Sequence, residues 1–385
     1  MPDSKCIVHI GLGKTGSSYI QSALDHLSQR GELVNTCYPP VHQFEDFLTV
    51  RSGNGVELAH LLNPALTPNW QRRDVHPPLS RLLKQHTDRK QTLLISSEMF
   101  SNSNSERFST FCEVLEDKGY AVTVLACIRE IREWIFSTYQ QGVKRAALSE
   151  SFDEFSETKL SEYTYATATR LRNMGDRLQV FPYQRNDLFH RFLREVGEDP
   201  KLAAAVPRKT VNRSLSREEL NVLLQVNGVF NSSSLSETLS DSFLYKAPGV
   251  VSARPSEREF AMIERLLPEA RERIGKADSK PLEEALDLLF SDPCENQRRV
   301  EGENEQETEN MALGHVLEHL KEACEEWTLI RGYVQGLERA KGPFDPVHYA
   351  LMYPNVLRKQ QDLKSHFEES GKAEGRMGRL GSPKS

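Results

Sequence analysis

The chain is short of several things, and each shortage removes a class of function. No run of 18 apolar residues occurs, so no membrane-spanning helix is expected. Basic residues are in the minority: 49 Lys and Arg against 55 Asp and Glu leave a net charge of −6. That excludes the global basic footprint of a non-specific nucleic-acid binder, and any anion site must be local. The six cysteines, Cys6, Cys37, Cys112, Cys127, Cys294 and Cys324, form no C-x-x-C pair. The first residues lack the basic flank and long apolar core of a secretory signal. A reduced, cytoplasmic protein is expected, with Cys6 and Cys127 as buried thiols inside strands. No G-x-S-x-G and no H-E-x-x-H is present.

What is there is an ordinary globular balance, 38% hydrophobic and 27% charged over 385 residues. Short apolar, β-branched runs alternate with helical patterns. The runs Cys6 to Ile10, Thr92 to Ser97, Ala121 to Arg129 and Leu178 to Tyr183 read as strands. Helices are expected behind the first turn, with apolar positions Ile20, Ala23, Leu24 and Leu27, and near Arg107 to Lys118, Glu130 to Ala146, Ser161 to Met174 and Arg185 to Val196. The alternation predicts a three-layer α/β/α fold on a central parallel sheet. In such a fold, right-handed crossovers put every strand's carboxyl end on one edge, where ligands bind. Residues 37–90 give no clear pattern. Composition shifts after Pro293: Glu295 to Asn310 are dense in Glu, Asn and Gln, and Met311 to Ala340 suit a helix with a charged face. The expected organisation is therefore a main domain over 1–293, an acidic linker and helix over 294–342, and a small helical module over 343–380.

The first strand ends in G-L-G-K-T-G-S-S. Glycines allow a tight turn that brings N–H groups toward an anion, and the helix behind adds partial positive charge. Lys14 supplies a full charge, and Thr15, Ser17 and Ser18 supply hydroxyl donors. This is a phosphate cradle but not a Walker A loop, which requires G-x-x-x-x-G-K-[ST]. Counted back from Gly13-Lys14-Thr15, the required glycine falls at Val8; counted from Gly11, Gly16 is in place but Ser17 stands where lysine should be. Gly11, Gly13 and Gly16 match G-x-G-x-x-G in form, but Asn35 stands near where a ribose-binding acid is wanted.

The run H-I-G-L-G-K-T-G-S-S resembles the 5′-phosphosulfate loop of sulfotransferases that use 3′-phosphoadenosine 5′-phosphosulfate (PAPS), especially the bacterial type. The run C-I-R-E-I-R-E-W-I-F-S-T-Y-Q-Q-G-V-K is similar to that family's R-x-P-x-x-W-x-x-S-x-Y-x-Q-x-x-K segment, with Ile131 where proline is usual. The likeness covers about residues 5–225. It implies a P-loop-like fold that carries a sulfuryl group from PAPS to a hydroxyl or amine, leaves adenosine 3′,5′-bisphosphate and needs no metal. It implies Lys14, Thr15, Gly16, Ser17 and Ser18 at the phosphosulfate, and Arg129 with Ser137 at the 3′-phosphate. Glu98, ending L-L-I-S-S-E, matches the base of glycan-directed members, with Lys14 on the leaving oxygen. From the residues alone, Glu98 equally suits a helix cap or a lysine's partner.

Softer signals surround these. Ser137, Gln141 and Lys144 share a helix face, either lining a cleft or solvated. His9 suits a hydrogen-bonded structural histidine better than a second base. Arg213 could reach a nucleotide, while Ser216 with Glu219 reads as a capping box. Tyr183 follows a strand and either faces an acceptor or packs. His315, Glu318 and His319 form H-x-x-E-H, a pattern that chance explains on a charged helix. F-D-P-V-H-Y-A-L-M-Y-P-N-V, with Asn355 where Asp is usual, resembles a module of bacterial carbohydrate-modifying enzymes and points the acceptor toward a glycan. A nucleotide-dependent kinase and a non-enzymatic nucleotide-binding scaffold are the competing readings.

Overall fold

The structure is a computed structural model that describes residues 4–40, 53–207, 214–246, 252–291, 349 and 363–371. The chain divides into two compact units, Met1–Ala312 and Leu313–Ser385. The acidic linker, Arg213, His315, Glu318, His319 and Asn355 lie outside the described residues, as does most of the C-terminal module.

Among the described residues, unit one is built on five parallel strands: β1 Ser4–Ile10, β2 Thr36–Cys37, β3 Thr92–Ser97, β4 Tyr120–Ile128 and β5 Leu178–Pro182, in the order β2-β3-β1-β4-β5. The four strands expected from the sequence appear within two residues of their read boundaries. Side chains alternate along each strand. On one face Leu94, Leu125, Cys127 and Phe181 pack against helices α1 (Ser17–Gln29) and α7 (Leu188–Glu195), through Ile20, Leu24, Phe189 and Phe192. The alternate residues Val8, Leu93, Ile95, Val124 and Ala126 are also fully buried. Burial on both faces is why these strands read as continuous apolar runs. Cys6 and Cys127 are free, buried thiols, as their place in strands suggested.

Between β2 and β3 run α2 (Val56–Leu62) and α3 (His76–Gln85), and α4 (Ser105–Asp117) joins β3 to β4. Helix α5 (Ile131–Arg145) starts directly behind β4. Helix α6 spans Phe152–Arg172, beginning nine residues before the pattern alone suggested; Ser151 and Glu154 form a capping box that fixes the earlier start. After α7 come α8 (Arg217–Phe230), α9 (Ser233–Lys246), α10 (Glu257–Ile274) and α11 (Lys280–Leu289). Ser216 and Glu219 form the capping box read from the sequence. Among the described residues no helix is long and apolar enough to cross a membrane. In unit two, Tyr349 is buried, its ring packs 5.4 Å from that of Phe367, and its hydroxyl meets His366 Nδ1 at 3.0 Å.

Candidate functional site

Register decides which residues meet. Ile10 pairs with Ser97 on one side and Ala126 on the other, so Gly11, Glu98 and Arg129 all leave the sheet at its carboxyl edge. Gly11 N–H donates to Ser97 O at 3.3 Å. A Cβ on Gly11 would lie 2.3 Å from Ser17 Oγ and 2.9 Å from the Glu98 Cα, so only glycine lets the tip of β3 approach the loop.

The loop that follows is held in an unusual backbone conformation. Lys14 has φ 67° and Gly16 has φ 75°, both left-handed. Gly16 is the N-cap of α1, and a Cβ there would sit 2.5 Å from Leu188. Thr15 and Ser17 are buried; the Thr15 hydroxyl donates to Leu12 O at 2.5 Å and lies 3.3 Å from Ser17 Oγ. Ser18 is half-buried in the first turn of α1. From α5 and its entry, two donors reach back to the loop. Arg129 Nη1 donates to Lys14 O at 3.0 Å, and the Trp134 indole N–H donates to Gly13 O at 2.7 Å. No hydrogen bond among the described residues uses the N–H of Lys14 or Thr15.

Lys14, Glu98 and Arg129, read from three separate stretches of sequence, come together here. Burial pushes Lys14 below the ordinary lysine range; Glu98 opposes that shift, while Arg129 and Arg145 add to it. Burial pushes the Glu98 carboxyl above the usual carboxylate range, and Lys14 opposes it. The cap of the 3₁₀ turn Glu98–Asn102 is Ser97, whose Oγ accepts from Met99 N–H at 3.2 Å, so the Glu98 carboxylate is not spent on that cap. Arg129 lies over the Tyr183 ring at 4.7 Å and bonds Glu133 at 3.4 Å. Tyr183 thus packs beside the cation and near Gly16.

Ser137 lies two turns along α5, half-buried, with no hydrogen bond to Arg129 or the loop. Gln141 is half-buried and Lys144 is buried, so that face is partly covered. Pattern reading gave no role to two residues of the same helix. Trp134 falls in the quoted segment and is legible there as a donor one turn beyond Arg129. Arg145 continues the Ser137, Gln141 spacing by one more turn; Asp241 at 2.6 Å and Glu237 at 3.3 Å hold it.

Two neighbouring candidates resolve as structural. His9 is fully buried, with Nδ1 2.8 Å from Ser96 Oγ, and burial lowers its pKa to about 3, so it stays neutral. Asn35 precedes β2 at the opposite edge of the sheet, where its N–H meets Glu198 at 2.8 Å and its side chain Gly197 O at 2.9 Å. It does not stand at the strand end where a dinucleotide's ribose would be read.

No protein-family model matches the chain, and no curated protein does. A solved structure with some likeness is that of retinol dehydratase in complex with androsterone and inactive cofactor PAP; it covers 73% of this chain and 83% of its own at 11% identity, with a TM-score of 0.29.

Proposed function

We propose that the protein is a PAPS-dependent sulfotransferase that acts on a hydroxyl or amine, with glycans the first acceptors to screen. The observation that carries this reading is the meeting of Lys14, Glu98 and Arg129 at one sheet edge, around a loop with unused N–H groups. The donor set suits the cofactor: an ammonium, a guanidinium, hydroxyls and peptide N–H groups for a polyanion, beside a single carboxylate for a proton. When bound, PAPS supplies a sulfuryl group on a phosphate leaving group. Lys14, Thr15, Gly16, Ser17 and Ser18 would hold the 5′ end, and Arg129 with Ser137 the 3′-phosphate. Glu98, its carboxyl raised by burial, takes the proton of the acceptor hydroxyl as general base. Lys14 offsets the negative charge that grows on the departing oxygen.

Calorimetric titration with adenosine 3′,5′-bisphosphate, ATP with magnesium, and NAD tests this. Selective binding of the bisphosphate is expected. Because charge-assisted bonds to phosphate are involved, Lys14→Ala and Arg129→Ala should each weaken it about tenfold to hundredfold. A preference for ATP with magnesium would instead favour the kinase reading, and no nucleotide binding at all would sink both.

A further inference from the structure

We propose that Trp134 is a positioning residue that aims the anion-binding N–H groups of the loop, an inference that rests on the sulfotransferase reading of the site. In a trans peptide the carbonyl and the next residue's N–H point in opposite directions. Trp134 Nε1 holds Gly13 O at 2.7 Å, which turns the Lys14 N–H away from α5. Arg129 Nη1 holds Lys14 O at 3.0 Å, which turns the Thr15 N–H the same way. Both N–H groups are left without a hydrogen bond among the described residues. The left-handed backbone at Lys14, φ 67°, is the cost of this arrangement.

The two anchors differ in kind. A guanidinium is also a phosphate ligand, so Arg129 shares its donors between the loop and an anion. An indole has a single N–H and no charge; with that N–H spent on Gly13 O, Trp134 acts on the loop alone. Its ring is fixed from the other side by Tyr163 of α6, 5.4 Å away at 87°.

Trp134→Phe keeps an aromatic ring beside Tyr163 and removes the N–H together with the rest of the pyrrole ring. It should melt near the wild-type temperature and bind adenosine 3′,5′-bisphosphate about tenfold more weakly, the effect of one well-placed hydrogen bond. A second readout uses the wild-type protein: the Trp134 indole N–H signal in NMR should resist solvent exchange and shift when the bisphosphate binds. Equal binding by wild type and Trp134→Phe overturns the assignment. If the variant fails to fold, an indole signal that exchanges freely and ignores the ligand overturns it just as well. A wild type that takes ATP with magnesium in place of the bisphosphate ends the sulfotransferase reading, and Trp134 is then judged by the same ratio measured with ATP. A wild type that binds neither overturns both.

Discussion

Lys14 and Glu98 pull each other against what burial does to them. Burial favours the neutral form of both; each one's charge resists that in the other. The consequence shows in ligand affinity. Above the raised pKa of Glu98, its negative charge opposes a bound polyanion; below it, the carboxyl is neutral and the opposition ends. Glu98→Gln should therefore bind adenosine 3′,5′-bisphosphate more tightly than wild type at neutral pH, with the two curves merging as pH falls below the Glu98 pKa. The ligand's own phosphate ionisation, near about 6, is common to both proteins and cancels in the comparison. The same variant should lose about 10²- to 10⁴-fold in kcat with any acceptor that is found, as general bases do. Tight binding joined to full activity in Glu98→Gln would remove Glu98 from the chemistry. Glu98 was legible because it ends an apolar run, and Lys14 because it stands in a glycine-bearing turn behind one. Trp134 was not given a role, because a hydrogen bond from a helix back to a loop carbonyl has no sequence signature beyond spacing.

At the scale of elements, β3 is the informative case. Its inner edge is paired to β1 along its length, but its outer partner β2 is two residues long and reaches only Thr92 and Leu93. The remaining outer edge is met by one side chain. Asn54 Nδ2 donates to Leu94 O at 2.9 Å, and its Oδ1 accepts Ser96 N–H at 2.7 Å, as a strand residue's peptide would. Gly55 N–H then donates to Ser96 O at 2.9 Å. Gly53 adopts φ 77°, and a Cβ there would run into Ser96 O, so glycine is required at that turn. None of this was visible in a segment without periodicity, whereas the long buried strands and the Ser216–Glu219 cap were. Asn54→Ala leaves two buried backbone groups of β3 unpaired next to Glu98. A loss of about 2–4 kcal/mol in urea unfolding is expected; a change near zero would mean that the strand edge holds without that side chain.

At the scale of the whole molecule, the proposed anion site stands on an acidic chain. The net charge of −6 repels a polyanion at long range, so the attraction must come from within a Debye length, about 10 Å at 0.1 M salt. In the proposed site Lys14 and Arg129 supply it, from the loop behind β1 and the end of β4. They are more than a hundred residues apart in sequence, so the cation pair exists only when the sheet is assembled. The ligand should consequently bind the folded unit and not the unfolded chain, and binding then becomes stability. Adenosine 3′,5′-bisphosphate at one hundred times its dissociation constant should raise the unfolding free energy of the sheet-bearing unit by about 2.7 kcal/mol. Trp70 and Trp134 both lie in that unit and report on it by fluorescence. The gain should shrink in Arg129→Ala at the same ligand concentration, to about 0.4 kcal/mol if affinity drops a hundredfold, since ligand then only matches its dissociation constant. A wild-type gain that persists undiminished in Arg129→Ala would locate the anion elsewhere and break the link between this sheet edge and the nucleotide.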